Sequence, residues 1–139
     1  RKSPLKPNPF RIFSELVHIA RILPNPNLSL EILLTEEEEM RWQGTGSWRA
    51  RRRGYTARER RLVCVRQSRL FDPASSIGNM LPPTLKEPFS TAEMAPQCRV
   101  SLPLARQIAY TLREAGILEN VGKNGNALLY CRAARSKGP

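Results

Sequence analysis

Four consecutive glutamates at residues 36–39 are the densest group in the sequence that could perform acid–base or metal chemistry. Carboxylates hold a metal or exchange protons when several of them converge on one point. Consecutive residues project in different directions from a strand or a helix, so these four do not converge. We therefore interpret the run as a solvated acidic face and not as a catalytic site.

The histidine and the cysteines could serve as metal ligands. The sequence contains one histidine, His18, and three cysteines, Cys64, Cys98 and Cys131. A structural zinc site needs about four ligands at short paired spacings, and the sequence has no Cys-x-x-Cys pair. The odd number and wide spacing predict reduced thiols in a cytoplasmic protein. We expect no metal, no cofactor and no enzymatic activity.

The arginines offer another chemistry, which is the binding of polyanions. Among 139 residues, 23 are Lys or Arg and 12 are Asp or Glu, so the formal net charge is +11. Residues 41–69 hold ten arginines and one glutamate. Such an excess favours association with nucleic acid, although an acidic protein partner or a homodimer stays open. No apolar run approaches the roughly 18 residues that cross a bilayer, so no membrane partner is expected.

Three arginines within this basic segment are candidate nucleic-acid contacts. If residues 47–53 form a strand, Arg49, Arg51 and Arg53 project from one face. Trp42 and Trp48 are interleaved with them, and arginine beside aromatic rings suits both phosphate contact and base stacking. The alternative is that the Trp rings fill a small core while the arginines are solvated.

The apolar spacing of the N-terminal half predicts its secondary structure. Helical spacing predicts a helix over residues 10–23, and weak alternation predicts a strand over 28–34. Thr35 either opens a short capped helix or continues this strand. Residues 62–65 are β-branched and apolar and predict a buried strand, and residues 74–81 predict a short helix.

This order of elements also resembles half of a nuclease-like α/β core. Such nucleases hold a metal with an acidic residue and an acid-x-lysine pair on neighbouring strands. Residues 62–66 contain neither, so the resemblance does not extend to catalysis.

The C-terminal half carries stronger local signals, beginning with two helix starts. Ser90 and Glu93 are spaced as a capping box, which predicts a helix that ends by Pro96. Ser101 predicts the start of a second, longer helix, with Pro103 in its first turn.

The second helix and the segment after it are also defined by their residue types. An apolar stripe lies along one face of this helix, and Gly116 predicts its left-handed end. The stripe consists of Leu104, Ile108, Leu112 and Ala115. Residues 117–121 and 127–131 are strand-like, and Asn124-Gly125 between them predicts a type I′ hairpin.

Residues 104–119 resemble the recognition helix and first wing strand of bacterial winged-helix regulators, and are similar to small eukaryotic and archaeal ribosomal winged-helix proteins. The whole chain resembles an uncharacterised bacterial family. The winged-helix resemblance implies nucleic-acid contacts on the exposed face of the long helix and at the wing tip. These contacts are Arg99, Arg106, Gln107, Tyr110, Arg113 and Lys123. Gln107 would reach a base edge, and Arg106 and Arg113 would reach phosphate or guanine.

Together these features predict an α+β protein with a basic helix-and-strand N-terminal unit and a C-terminal winged helix-turn-helix. The predicted divisions are a tail at 1–9, the basic unit at 10–83, a linker at 84–87, the winged helix at 88–135 and a tail at 136–139. The function expected from them is binding of double-stranded DNA as a regulator or accessory subunit. The alternatives are a structural RNA-binding component of a ribonucleoprotein and a winged-helix scaffold between proteins.

Overall fold

The computed structural model describes residues 6–42, 57–72 and 76–134. Over these residues the chain is α+β, with three α-helices, three short 3-10 segments and two two-stranded antiparallel sheets. The 3-10 segments are Pro9–Ile12, Val17–Ile19 and Ile77–Met80. The α-helices are α1 (Phe13–Leu16), α2 (Thr91–Cys98) and α3 (Leu102–Glu114). The strands are β1 (Leu30–Trp42), β2 (Ala57–Phe71), β3 (Leu118–Asn124) and β4 (Ala127–Arg132).

The first helical segment is shorter and less regular than the helix predicted over residues 10–23. One α-helical turn, α1, lies between two 3-10 segments, and the helical structure ends at Ile19. Phe10, Phe13 and Leu16 are buried, and they are spaced three residues apart. A 3-10 helix has three residues per turn, so this winding places all three on one face.

The pairing of β1 with β2 gives a hairpin that is longer than the predicted strands. The strand predicted at 28–34 continues through Thr35 and the four glutamates. Of the two structures predicted at Thr35, a capped helix or a continued strand, the strand is therefore the one observed. The strand predicted at 62–65 is confirmed as part of β2. Its predicted burial is wrong, because Leu62, Val63 and Val65 are each about half exposed.

The helix predicted at residues 74–81 is reduced to one 3-10 turn, Ile77–Met80, among the described residues. The helix starts predicted in the C-terminal half are confirmed. Ser90 caps α2 in a complete capping box with Glu93, and the Ser101 side chain caps α3. The prediction that the first of these helices ends by Pro96 is wrong, because α2 continues to Cys98. Proline lacks one backbone donor, and near the end of a helix that costs a single hydrogen bond.

The predicted C-terminal hairpin is formed by β3 and β4, with a two-residue loop at Gly125 and Asn126. Gly125 has φ +60°, and Asn126 does not have a positive φ. The predicted type I′ turn would require positive φ at both residues, so the φ pattern is that of type II′. The left-handed residue predicted at Gly116 is confirmed, with φ +74°.

The chain divides into two compact units. One combines Arg1–Ile32 with Leu70–Pro139, and the other is Leu33–Arg69. In the first unit α3 packs against both α1 and α2, and the residues with no exposed surface lie at these contacts and beside them. They include Phe13, Leu23, Ile77, Phe89, Met94, Ile108, Thr111 and Leu112.

The boundaries between the two units do not fall at the linker predicted at residues 84–87. Leu85 is 2% exposed and belongs to the core of the first unit. The Arg132 guanidinium donates to the backbone carbonyls of Pro82 (3.0 Å) and Leu85 (3.3 Å), and to the Glu87 carboxylate (2.7 Å). These contacts attach the segment to β4.

Candidate nucleic-acid interface

Three of the predicted residues on α3 share the face opposite its buried stripe, and Gln107 lies at the edge of that face. Ile108 and Leu112 of the stripe have no exposed surface. Arg106, Tyr110 and Arg113 follow at i, i+4 and i+7, which places them on one side of the helix. Gln107 follows Arg106 directly, and successive residues of a helix project about 100° apart. Arg106 and Tyr110 are exposed, and Gln107 and Arg113 are half-buried.

Charge pairing distinguishes the two arginines of this face. The Arg113 guanidinium lies 5.5 Å from the Tyr110 ring centre and 3.4 Å from the Glu114 carboxylate. That carboxylate also lies 3.6 Å from Arg21. Within the described residues Arg106 has no carboxylate at ion-pair distance. Arg106 is therefore the arginine of α3 whose charge is most available to a partner.

Arg99 does not lie on the long helix, contrary to the prediction. It is the residue that ends α2, and its backbone is left-handed with φ +56°. The backbone N–H groups of Arg99 and Val100 donate to the carbonyls of Pro96 (3.2 Å) and Ala95 (3.0 Å). These bonds close the turn between α2 and α3, and the Arg99 side chain is exposed there.

Asn8 fastens the N-terminal segment to this turn, and the sequence prediction missed it. Its side-chain amide donates to the carbonyls of Cys98 (3.1 Å) and Arg99 (3.0 Å), while its Oδ1 accepts from the N–H of Phe10 (3.0 Å). The sequence signal was an Asn followed by Pro9, which is the pattern of a capped helix start. Nothing local in the sequence signals the bonds to residues 90 positions away.

A groove lies where these segments meet, and we call it the N-terminal groove. Its volume is about 510 Å³. Arg99 and Gln107 line it, as two of the predicted site residues, together with Lys6 and Arg11, which the sequence prediction missed. The groove is formed by the N-terminal segment, the turn between α2 and α3, and the first turns of α3.

The remaining predicted contacts are separate from this face or outside the described residues. Lys123 is exposed on β3, one residue before the strand ends, and pairs with Leu128 in the hairpin register. Arg49, Arg51 and Arg53 lie outside the described residues.

The acidic run of β1 has arginine partners on β2. Glu36 contacts Arg66, and Arg60 lies 3.6 Å from Glu39 and 3.9 Å from Glu37. The Glu36 contact raises the pKa of Arg66, first through the hydrogen bond between the two side chains. Over the described residues no group of three His, Cys, Asp or Glu side chains is placed to hold a metal ion.

The three cysteines are not joined in disulfides. Cys98 is buried beneath the turn between α2 and α3, and this burial raises the pKa of its thiol to about 11. Burial also raises the pKa of Cys131. A thiolate is the reactive form of cysteine, so Cys98 is held in its unreactive form at neutral pH.

Comparison with known proteins identifies a family without a known activity. A domain of unknown function, DUF8091, matches residues 1–72, just over half of the chain. The chain belongs to the DUF8091 family. No curated protein and no solved structure matches it. Among the described helices none is long and apolar enough to cross a membrane.

Proposed function

We propose that the C-terminal part of the chain is a winged helix-turn-helix and that the protein binds double-stranded DNA as a regulator or accessory subunit. The observation that carries the proposal is the exposed face of α3, where Arg106 lies opposite the fully buried Ile108 and Leu112, and Gln107 lies at the edge of that face. The proposal involves binding without a catalytic step.

The order of elements supports the winged-helix assignment. Two helices, α2 and α3, are joined by the short turn at Arg99 and followed directly by the β3–β4 hairpin. Phe89, just before α2, forms an antiparallel bridge with Tyr130 of β4, with backbone bonds of 3.0 and 2.8 Å. A helix-turn-helix with an attached hairpin is a framework that presents its second helix to a partner.

The dimensions and side chains of α3 suit the major groove. Its 13 residues make a helix about 20 Å long at 1.5 Å per residue. The major groove of B-DNA admits an α-helix, and its base edges are read by amide and guanidinium groups. Arg106 supplies a guanidinium on the exposed face, and Gln107 supplies an amide at the edge of that face.

Substitution of these two residues tests the proposal. We expect Arg106→Ala or Gln107→Ala to weaken binding to a duplex selected from a random library by about 1–3 kcal/mol. The loss of affinity for a duplex of random sequence should be much smaller. Lys86→Ala is the control, because Lys86 is exposed and its loss removes the same charge as loss of Arg106. Fluorescence anisotropy at several salt concentrations measures each affinity. Equal losses for Arg106→Ala and Lys86→Ala on both duplexes, with no loss for Gln107→Ala, would leave a non-specific polyanion binder.

Two other functions make different predictions in the same assay. A structural RNA-binding component would use the same surface and would bind a folded RNA hairpin more tightly than the duplex. A protein scaffold is favoured by one observation, the exposed apolar residues Leu62, Val63 and Val65 of β2. A protein scaffold would bind neither the DNA duplex nor the RNA hairpin.

A further inference from the structure

The N-terminal groove differs in charge from the face of α3 that it adjoins. Of the ten described residues that line it, three are cationic, and none is acidic or aromatic. The cations are Lys6, Arg11 and Arg99. Within the described part of the chain, no carboxylate lies at ion-pair distance from any of them. The groove therefore carries uncompensated positive charge.

Several of the other polar side chains in the groove are already engaged. The Asn8 amide donates to two backbone carbonyls, and the Ser14 hydroxyl donates to the carbonyl of Arg11 at 2.8 Å. Ser101 accepts from the backbone N–H of Leu104 at 3.4 Å. The charged groups and the Gln107 amide are thus the main donors left to an incoming ligand.

The backbone at Arg99 adopts a conformation that favours glycine. A residue with a side chain is strained at φ +56°, and helices commonly end there in glycine. Residues held in such sparsely populated conformations cluster at functional sites. In this groove the side chain supplies one of the three cations.

We propose that the N-terminal groove binds the phosphodiester backbone of the nucleic acid that α3 reads. Lys6, Arg11 and Arg99 contact phosphate oxygens, and Gln107 connects the groove to the base-reading face. Among the described lining residues, the lack of aromatic rings disfavours base stacking, and the lack of carboxylates disfavours a cation. The inference rests on the proposed function and adds the N-terminal segment to its interface.

Pre-organisation supports a contact by residues so distant in the sequence. Asn8 holds the segment between Lys6 and Arg11 against the turn at Arg99 through bonds of 3.1 and 3.0 Å. A segment already fixed in place loses little entropy when it binds, so its cations contribute more to affinity than those of a loose tail.

The salt dependence of binding tests the proposal with the full chain and a random 20-base-pair duplex. Each lost phosphate contact lowers the slope of log K against log salt by about 0.9. We expect Lys6→Gln and Arg11→Gln each to lower the slope by about that amount, and Arg11→Lys to preserve it. Lys86→Gln removes the same charge outside the groove and should leave the slope near its original value. The Arg11 side chain has no ion pair with any residue that the structure describes, so thermal melting should show an intact fold for its variants.

The outcomes separate this inference from the proposed function. If Arg106→Ala weakens binding but the Lys6 and Arg11 variants keep the original slope, the groove does not contact phosphate and the α3 proposal survives. If Lys86→Gln lowers the slope as much as Arg11→Gln, the effect is one of net charge and the groove proposal is wrong. If the chain binds no duplex, both proposals are wrong.

Discussion

A single side chain, Asn8, determines how the N-terminal segment meets the rest of its unit. One end of its amide caps the first helical turn, and the other end donates to two carbonyls at the end of α2. These two tasks require an acceptor and a donor on the same side chain. Asn supplies both, whereas Asp supplies acceptors only.

That difference gives a prediction at the residue scale. We expect Asn8→Ala to lower the free energy of unfolding by about 2 kcal/mol, from loss of the cap and of the bonds to Cys98 and Arg99. Asn8→Asp keeps the cap but places a carboxylate oxygen against two carbonyls, so it should cost at least as much. Urea unfolding measures both variants. If Asn8→Asp is as stable as the original chain, the capping role alone accounts for Asn8.

At the scale of elements, α2 and α3 are both capped by a serine, but the stability of the two caps should respond differently to acid. The Ser90 backbone N–H donates to Glu93 at 2.7 Å and the Ser90 hydroxyl donates at 2.9 Å, so these bonds lower the pKa of Glu93. In α3 the corresponding position is Leu104, which has no carboxylate. Capping of α2 therefore depends on pH and capping of α3 does not.

We predict that the two caps can be distinguished by acid titration of stability. Ser90→Ala and Ser101→Ala should each lower the free energy of unfolding at pH 7 by about 1 kcal/mol. A carboxyl whose pKa is lowered by folding stabilises the fold above its unfolded pKa, and this contribution is lost as the pH falls through the folded value. The Ser90→Ala deficit should therefore shrink as the pH falls below the ordinary range of a glutamate carboxyl, while the Ser101→Ala deficit persists. Glu93→Gln should remove the pH dependence, and a Ser90→Ala deficit that stays constant with pH would contradict the assignment.

The elements that could be predicted from the sequence are those defined by neighbouring residues. The helix starts at Ser90 and Ser101 and the left-handed Gly116 depend on contacts within a few positions, and all three were predicted. Arg99 at a position that favours glycine was missed, because residue type pointed to a helix face. The burial predicted for residues 62–65 failed because apolar composition alone does not show whether another element covers a strand.

The same reasoning applies to the candidate site. The buried stripe of α3 followed from helical periodicity, whereas the residues of its exposed face came from the winged-helix resemblance, and one of them, Arg99, lies outside the helix. Lys6 and Arg11 were not predicted, because they belong to a proline-containing segment that no local pattern connects to α3. The connection depends on a hydrogen bond across about 90 residues, and such a bond has no periodic signature in the sequence.

At the scale of the whole molecule, the first unit depends on two segments far apart in the chain. Phe13 and Leu23 are fully buried in the same core as Ile108 and Leu112, and α1 packs against α3. A stretch of about 50 residues such as 85–135 buries too little surface to be more than marginally stable by itself.

We therefore predict that removal of residues 1–27 changes the unfolding of the C-terminal part. The loss of Phe13 and Leu23 exposes apolar surface on α3, so the thermal transition should broaden and its midpoint should fall sharply. Circular dichroism and calorimetry of the truncated and full chains measure this. Deletion of residues 1–5 is the control, because the buried residues are retained. An unchanged transition after removal of 1–27 would show that the C-terminal part folds independently.

The division of the first unit between two distant segments also has a consequence for the order of events during synthesis. Residues 33–69 are made between its two parts, so Phe10, Phe13 and Leu16 emerge from the ribosome long before α3 exists to cover them. Closing a loop of this length lowers the entropy of the chain before the long-range contacts that stabilise the core can form, and this slows folding. Until α3 is made, the nascent chain thus exposes this apolar segment, and we expect chaperones that bind such segments to recognise it.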